Sequence, residues 1–350
     1  TRHYRVFARL LSKRVRLYTE MVVDDTIIHR KDDTKFWTGL NYSSIERPLT
    51  VQVGGSEPEK LAQVTRICDD LGFDEIDLNC GCPSDRVATK NCFGARLMLD
   101  PPLVKNLVSA MRSSASPSMP VTVKCRIGAD DLDSYDDMLN FVDTVAEAGV
   151  RHFIIHARKC HLKGLSPKEN RNVPPLKYDF VHRIAEERPE LEFTLNGGIL
   201  TLDEVEEQRA LRRSDNGKPL LRGVMVGRAA WNTPWAMLSD VDRRIYGQEN
   251  PGHSRREVLQ LYEEYANRVL KQLKEDYSDL PEAKAQKYIQ SSVRNMLKPI
   301  QHFFRAKPGG KAFKRVMDHE LNGAKNFDFS SIMAKACQQI PDEVLDERPP

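Results

Sequence analysis

Residues 121–157 read VTVKCRIGADDLDSYDDMLNFVDTVAEAGVRHFIIHA, and this stretch decides the fold. It begins with a β-branched run over 121–126, continues through a helical segment that ends at Ala146–Gly149, and returns to an apolar run over 152–157. A strand, a helix and a second strand at this spacing predict two parallel strands joined by a crossover helix.

The same alternation continues in both directions from this stretch. Short β-branched or apolar runs, separated by amphipathic helical segments, predict seven strands: 15–21, 49–53, 75–79, 121–126, 152–157, 192–196 and 223–226. The helices have recognisable starts and ends, such as the capping box Ser56–Glu59 that opens a helix running to Gly72. Two architectures fit this alternation, a doubly wound sheet and a closed (β/α) barrel.

Polar or glycine-rich groups follow nearly every predicted strand, and they favour the barrel. They include Glu20, Gln52, Asn79, Lys124, His156, Asn196 and Gly227. A doubly wound sheet concentrates its loop chemistry at one switch point, whereas a barrel builds its active site from a ring of groups at the carboxyl ends of many strands. We therefore predict an α/β fold, a (β/α)8 TIM barrel.

The amino terminus predicts that one strand precedes the given sequence. A TIM barrel has eight strands, and only seven are predicted after Thr1. The chain opens with Thr1 instead of Met, and residues 2–11 already have the apolar spacing of a helix, with no leader in front of it. We expect an N-terminally truncated chain that lacks the first barrel strand.

The C-terminal part of the chain predicts a separate helical domain. Strand and helix alternate only as far as Tyr246, after which Pro251-Gly252 breaks the chain and helical patterns follow without strands. We predict a barrel domain over 1–248 and an all-helical domain over 252–338. The acidic segment 339–350, which ends in two prolines, predicts a disordered tail.

Composition limits the class of protein. The chain has 40% hydrophobic and 29% charged residues and a mean hydropathy of -0.53. No apolar run reaches the length of a membrane span, so a membrane protein is excluded. Seven cysteines, an odd number in 350 residues, argue against a disulfide scaffold and for a reducing compartment, the cytoplasm or an organellar matrix or stroma.

The net charge of +3 conceals a local basic patch. Between Arg294 and Arg315 the chain has seven lysines and arginines and no acidic residue, so this window carries +7 and the rest of the chain −4. Such a patch is typical of proteins that bind nucleic acids.

Two glycine-containing segments follow the last two predicted strands. Asn196-Gly197-Gly198 comes after one strand and Gly227-Arg228 after the next. Glycine lets backbone N–H groups approach an anion and arginine adds a paired charge, which is how barrel phosphate sites are built. One such segment alone is more often a simple turn, but the two together predict a phosphate site.

Side chains at three other strand ends are candidate cofactor contacts. Lys124 lies in an apolar run, where it either reaches out to water or neutralises charge on a flavin ring or a carbonyl oxygen, and Arg126 lies on the same face. His156 ends another apolar run and by itself is more often a hydrogen-bonded core residue. With Gln52 at a neighbouring strand end, we favour cofactor contacts for Gln52, Lys124 and His156.

The turn Asn79-Cys80-Gly81-Cys82-Pro83 carries a candidate proton donor. Two cysteines at this spacing could bind zinc, but no second Cys or His pair stands at ligand spacing nearby, so we predict no metal. Cys80 is expected to pack. Cys82 is placed at the barrel mouth to act as an acid or a nucleophile, while an inert buried cysteine explains this segment equally well.

Several of these residues lie within strings that resemble the tRNA-dihydrouridine synthases, specifically their A-type subfamily. The strings are LYTEM (17–21), QVGGSEP (52–58), DLNCGCPSDRV (77–87), VTVKCRIG (121–128), FIIHARK (153–159), GLSPKENR (164–171), VPPLKY (173–178), NGGI (196–199) and GVMVGRAA (223–230). The resemblance runs from Thr1 to about Gly247 and, more weakly, from Arg294 to Met317. The combination of GCPSDRV with SPKENR makes it specific.

The resemblance implies an FMN-dependent enzyme that reduces the C5–C6 double bond of uridine in the tRNA D-loop, at position 20/20a, with NADPH as electron donor. Hydride would reach C6 from the reduced flavin and Cys82 would give a proton to C5, with Cys92 as the rival donor. The implied FMN contacts are Gln52, Lys124, His156, Asn196, Gly197, Gly198, Gly227 and Arg228. The implied tRNA contacts are Asn79, Lys168, Arg171, Lys311 and Lys314, the last two replacing the family's Arg-x-x-Arg signature.

Two other functions stay open at this point. One is an FMN barrel oxidoreductase acting on a small pyrimidine, which would leave the basic patch without a task. The other is a non-catalytic relative that binds tRNA but no flavin. The missing first strand also predicts a weakened hold on FMN, and a monomer is the expected assembly.

Overall fold

The computed structural model describes residues 1–30, 39–84, 93–323 and 328–350, without the side chains of 321–323. Within this part of the chain the strands are β1 (Leu17–Val23), β2 (Leu49–Gly54), β3 (Glu75–Cys80), β4 (Val121–Arg126), β5 (His152–His156), β6 (Glu192–Asn196) and β7 (Gly223–Met225). The helices are α1 (Arg2–Leu11), α2 (Asp24–Arg30), α3 (Pro58–Asp70), α4 (Pro101–Ser114), α5 (Tyr135–Ala146), α6 (Tyr178–Glu187), α7 (Leu202–Ala210), α8 (Arg228–Asn232), α9 (Pro234–Leu238), α10 (Val241–Tyr246), α11 (Arg255–Asp276), α12 (Glu282–Leu297), α13 (Gly310–Gly323), α14 (Phe329–Cys337) and α15 (Asp342–Leu345). None of the helices described here is long and apolar enough to cross a membrane.

The seven strands form one parallel sheet in which neighbours along the chain are also neighbours in space. The order is β1-β2-β3-β4-β5-β6-β7, and every adjacent pair runs parallel. A doubly wound sheet reverses its strand order at a switch point, and this sheet does not, so that alternative is excluded. The curled sheet with its alternating helices confirms the predicted TIM-barrel fold class.

The sequence patterns place most strands correctly. The strands predicted over 121–126 and 192–196 match β4 and β6 to the residue. β1 begins later than predicted, because Val15 belongs to the turn after α1. The N–H of Val15 donates to Ser12 Oγ at 3.2 Å, and its carbonyl accepts from Arg9 Nη2 at 2.9 Å.

Burial of the strands explains how polar residues come to lie inside the sheet. β3 and β5 are buried at every position, as expected for strands of a parallel sheet that is covered on both faces. Successive side chains point to opposite faces of a strand. On β3 this places Ile76 and Leu78 on one face and Asp77 and Asn79 on the other, so the second face is polar although it is buried.

The described chain divides into two compact units. The sheet and its helices lie in residues 16–41 and 47–226, and the other unit contains 1–15, 42–46 and 227–350. The second unit is helical and has an aromatic core. The ring of Phe7 in α1 lies edge-on to Tyr262 at 5.6 Å and to Phe303 at 5.2 Å between centroids, and Phe304 packs on Phe313 at 4.8 Å.

The predicted domain boundary at residue 248 differs from this division. The two units separate at 226/227, and residues 1–15 belong to the helical unit. Trp231 in α8 packs on Tyr4 at 5.3 Å, and Trp235 in α9 packs on Phe303 at 5.6 Å. The sequence pattern could not reveal this division, because α8 to α10 follow β7 in the same rhythm as the earlier helices follow their strands.

The C-terminal segment contains the short helix α15 (Asp342–Leu345), within the stretch 339–350 for which the sequence predicts a disordered tail. α15 buries Val344 and Leu345. Arg256 in α11 pairs with Asp342 at 2.5 Å and with Asp346 at 2.7 Å. The acidic composition that predicts disorder is instead the charge complement of basic side chains in the same unit.

Candidate active site

Three neighbouring strands carry polar side chains that bond to one another. The register places Gln52 of β2 beside Asp77 of β3, and Asp77 beside Thr122 of β4. Gln52 Nε2 donates to Asp77 Oδ2 at 2.7 Å, and Thr122 Oγ1 donates to Asp77 Oδ1 at 3.0 Å. Asn79 Nδ2 donates to Gln52 Oε1 at 2.7 Å. The structure therefore brings together Gln52 and Asn79, two predicted site residues.

The turn after β3 is held by the same asparagine. Asn79 Oδ1 accepts from the backbone N–H groups of Gly81 at 3.0 Å and Cys82 at 2.9 Å. The Cys82 carbonyl accepts from the N–H of Ala95 at 2.9 Å. The thiol of Cys82 is half-buried and free, whereas Cys80 is wholly buried. Of these two cysteines, only Cys82 can meet a substrate.

The rival proton donor and a metal site were the two other possibilities for this turn. Cys92, the rival proton donor, lies outside the described residues. In the described ranges, which omit 31–38, 85–92 and 324–327, no group of three or more His, Cys, Asp or Glu side chains is arranged to hold a metal ion.

Lys124 lies on β4 beside Asn79 and is half-buried. Burial lowers the pKa of its ammonium group, and the carboxyl of Asp77 opposes that effect. Burial also raises the pKa of Asp77 to about 7, against the influence of the Gln52 hydrogen bond and the Lys124 charge. The two groups therefore favour each other's charged forms in surroundings that disfavour both.

Arg126, which follows Lys124 by two residues on β4, bonds to the backbone of three loops. Its side chain is 3% exposed, and its guanidinium donates to three backbone carbonyls. The bonds run from Nε to Gly81 at 2.9 Å, and from Nη1 to Lys159 at 3.1 Å and to Asn170 at 3.0 Å. Arg126 thus ties together the Cys82 turn, the segment after β5 and the loop around Asn170.

His156 and the glycines after β6 are in direct contact. Gly197 and Gly198 have φ values of +112° and +79°, a region that side-chain-bearing residues rarely adopt. A Cβ on Gly197 would stand 2.5 Å from His156 Cδ2, so the imidazole packs against the glycine backbone. Asn196 Nδ2 donates to the carbonyl of Met225 at 2.8 Å, which links the ends of β6 and β7.

Gly227 and Arg228 belong to the helical unit, and their predicted convergence with Asn196–Gly198 stays a prediction. Gly227 is the residue before α8, and Arg228 is exposed at the first position of that helix. A Cβ on Gly227 would meet no atom within 4 Å, so no contact described here requires glycine at this position.

Lys168 and Arg171 are both exposed on one short turn. The turn begins with a reciprocal pair: Ser166 Oγ donates to Glu169 Oε2 at 2.6 Å, and the N–H of Glu169 donates back to Ser166 Oγ at 3.3 Å. Its anchor is Asn170, which is wholly buried. The pattern Ser-Pro-Lys-Glu-Asn-Arg thus presents two cations to solvent around one buried amide.

Lys311 and Lys314 line an open pocket of about 800 Å³ at the start of α13. Arg305, Lys307 and Arg315 line it as well. Lys314 Nζ donates to Asp318 Oδ2 at 2.5 Å, while Lys311 is exposed. The predicted basic patch therefore has a concave centre, in which cations and the first N–H groups of a helix can meet an anion.

Sequence reasoning missed two residues that organise these groups, Asp77 and Asn170. The signal for Asp77 was the alternation of Glu75, Asp77 and Asn79 along one strand, which places acidic groups on a buried face. Asn170 had no such signal, because its role depends on loops that only the folded chain brings together. Its Nδ2 donates to the carbonyls of His161 and Leu165, both at 3.0 Å.

Comparison with known proteins agrees with this arrangement. The family model of the dihydrouridine synthases matches residues 1–335. The chain is 42% identical over 317 residues to a tRNA-dihydrouridine(20/20a) synthase of Xanthomonas campestris, covering 90% of this chain and 84% of that protein. It is 47% identical over 258 residues to the enzyme of that name from Pseudomonas putida, covering 74% and 72%.

A third relative extends the match across almost the whole chain. The tRNA-dihydrouridine(20/20a) synthase of Shewanella oneidensis is 38% identical over 344 residues, which is 98% of this chain and 92% of that protein. The resemblance inferred from the motifs is confirmed, and the chain belongs to the dihydrouridine synthase family.

Proposed function

We propose that this chain reduces uridine to 5,6-dihydrouridine in the D-loop of tRNA, at the 20/20a position that the names of its relatives carry. The observation that carries this proposal is the placement of Cys82. A half-buried thiol stands on a turn fixed by Asn79 at the end of β3, next to the strand that presents Lys124. An acid and a cation at neighbouring strand ends suit the reduction of a polarised double bond.

FMN fits this site as cofactor, with NADPH as its electron donor. The expected contacts offer an amide, an ammonium, an imidazole and a guanidinium, which suit the carbonyl oxygens and ring nitrogens of a flavin and its phosphate. Gln52 bonds to Asp77 and Asn79, and it keeps one amide hydrogen and one lone pair for a ligand. Lys124 has no hydrogen-bond partner in the described part of the chain, so its ammonium is free to contact a ligand.

The remaining FMN contacts are assigned by family resemblance. We propose that His156, Asn196, Gly197, Gly198, Gly227 and Arg228 hold the cofactor together with Gln52 and Lys124. Bound and reduced, FMN supplies a hydride for C6 of uracil. Cys82 gives the proton that C5 needs, and Lys124 holds a positive charge where negative charge accumulates. The resulting thiolate regains its proton from solvent, which the half-buried position of Cys82 permits.

Recognition of tRNA requires surfaces outside this pocket. A base inside folded RNA has to leave its stack before it can enter a protein pocket, and phosphate contacts must hold the RNA in place meanwhile. We propose that Asn79, Lys168 and Arg171 contact tRNA near the strand ends, and that the helices of 252–338 bind it through Lys311 and Lys314. The pocket at the start of α13 supports this, because five cations line it and two of them, Lys307 and Lys314, already pair with acidic side chains. A small pyrimidine substrate would not need such a concentration of positive charge, whereas RNA phosphates would.

The first experiment compares three cysteine variants by mass spectrometry of dihydrouridine in unmodified tRNA, with NADPH present. Cys82→Ala should lower the rate by at least about a hundredfold, the usual contribution of a general acid, while the flavin spectrum is kept. Cys337→Ala is the matched control, since Cys337 is another half-buried free cysteine, placed in α14. Cys92→Ala tests the rival donor.

The outcomes separate the alternatives. Full activity of Cys82→Ala together with loss in Cys92→Ala would move the donor role to Cys92. A wild-type protein that binds tRNA without flavin absorbance and forms no dihydrouridine would refute the proposed function and support a non-catalytic relative.

A further inference from the structure

We propose that Asp77 is a positioning residue that fixes the amide orientations of Gln52 and Asn79 and thereby holds the turn carrying Cys82. The geometry of this role stands on hydrogen bonds alone. Its consequence for catalysis rests on the proposed function, in which Gln52, Asn79 and Cys82 contact cofactor, tRNA and the reacting base.

Asp77, Gln52, Asn79 and the Cys82 turn form a chain of hydrogen bonds, and its donor and acceptor roles follow from the backbone N–H groups at the Cys82 end. The N–H groups of Gly81 and Cys82 can only donate, so the atom of Asn79 that faces them must be oxygen. The amide nitrogen of Asn79 then points at Gln52, whose facing atom must be oxygen in turn. The nitrogen of Gln52 is left to face Asp77 at 2.7 Å, where only an acceptor can end the chain.

A carboxyl group meets this requirement in either protonation state. Oδ2 accepts from Gln52, and Oδ1 faces the hydroxyl of Thr122 at 3.0 Å. An ionised Asp77 accepts from Thr122, and a neutral one donates its proton to the same hydroxyl. Among the described residues, the charged or titratable groups near this carboxyl are Lys124 and Cys125 on β4, Glu75 and Cys80 on β3, and Tyr18 on β1, and none of them forms a hydrogen bond with it.

Burial makes a purely structural role a poor explanation for this side chain. Asp77 is 0% exposed, and a buried carboxyl destabilises a fold more than an apolar residue of similar size would. The carboxyl lies on a strand whose opposite face is filled by apolar residues. The Asp77 carboxyl supplies the fixed end of the hydrogen-bond chain that leads to Cys82.

Two substitutions at this position separate shape from polarity. Asp77→Asn can keep the chain, because its amide oxygen faces Gln52 while its nitrogen donates to the Thr122 hydroxyl. Asp77→Leu has the same number and branching of side-chain heavy atoms but no acceptor, so Gln52 and Asn79 lose their fixed orientation and the Cys82 turn loosens. The measurement is the rate of iodoacetamide labelling of Cys82 in the full-length protein as purified, followed by peptide mass spectrometry.

We expect Asp77→Asn to keep the wild-type rate within about twofold and Asp77→Leu to raise it about tenfold, which corresponds to the loss of one buried hydrogen bond. Cys80 and Cys125, buried on β3 and β4, report unfolding and should stay unlabelled. A wild-type rate for Cys82 in Asp77→Leu with both reporters protected would overturn the proposal.

A double variant decides the matter if Asp77→Leu unfolds. In Asp77→Asn/Thr122→Val the amide nitrogen of residue 77 finds no acceptor at residue 122 and turns towards Gln52. The amides of Gln52 and Asn79 must then turn as well, so the N–H groups of the Cys82 turn lose their acceptor. That turn is half-buried, so water can reach the unpaired N–H groups. Each single substitution should change the labelling rate of Cys82 only slightly and the double substitution should change it strongly. Additive effects of the two substitutions would refute the proposed chain of hydrogen bonds.

Steady-state kinetics of dihydrouridine formation then test whether the hydrogen-bond chain matters for catalysis. Asp77→Leu should lower kcat for dihydrouridine formation by a larger factor than it raises KM for tRNA, because the proposed lysine and arginine contacts to tRNA stay in place. Asp77→Asn should keep kcat near the wild-type value. If the wild-type protein makes no dihydrouridine but the labelling pattern holds, the proposed function fails and the positioning role stands.

Discussion

Replacing Arg126 with methionine should loosen three loops at once. The guanidinium makes three hydrogen bonds of 2.9 to 3.1 Å to the carbonyls of Gly81, Lys159 and Asn170, and methionine can make none of them. At about 1 kcal/mol net for each bond, the local free energy of opening should fall by about 3 kcal/mol. That change corresponds to amide hydrogen exchange roughly a hundredfold faster in the affected loops.

Hydrogen-exchange mass spectrometry measures this effect locally. The informative amides are those of Ala95, bonded to the Cys82 carbonyl, and His161, bonded to Asn170 Oδ1. Arg151→Met is the matched control, because that arginine is exposed while also donating to two carbonyls, and its loss should change exchange by less than about threefold. If Arg126→Met left both amides at wild-type exchange rates, the hydrogen bonds of Arg126 would not be what holds the loops.

Two further substitutions test the loops around the site. Gly197→Ala should cost about 2 to 4 kcal/mol of unfolding free energy, because it combines an unfavourable φ with a 2.5 Å contact to His156; Gly217→Ala, with φ +67° and open space around its Cβ, isolates the backbone part and should cost about 1 to 2 kcal/mol. Equal losses in urea denaturation would rule out the His156 contact as the cause. Asn170→Asp turns a donor to two carbonyls into an acceptor, so its loop should be cut by protease at least about tenfold faster; unchanged cleavage would show that these bonds do not order the loop.

The sequence predicts the fold well where one periodic signal dominates. β4 and β6 are bounded correctly because each is a short apolar run with a polar residue at its end. The division of the chain into units was harder to predict. The amphipathic pattern of α1 indicates that one face of the helix is buried, but it does not indicate which residues cover that face. Its partners Tyr262 and Phe303 come from the far end of the chain.

The candidate site could be chosen from the sequence only as far as single residues reveal their own chemistry. Gln52, Asn79 and Cys82 were selected because they stand at or just after the ends of predicted strands, and two hydrogen-bonded steps join them in the structure. For Arg126 the sequence predicted only the face that it shares with Lys124, because alternation along a strand fixes the face of a side chain but not whether a backbone carbonyl will meet it. Loop-to-loop bonds of this kind leave no periodic trace in a sequence.

The division into two units has a consequence for protein synthesis. Each strand of the sheet pairs with the strand made just before it, so the sheet can grow in step with translation. α1 is made before any of the seven strands, yet the ring of Phe7 packs on Tyr262 and Phe303, which leave the ribosome only after the last of these strands. α1 therefore keeps an uncovered apolar face while the seven strands assemble, and it can pack only after α11 and the segment around Phe303 have been made.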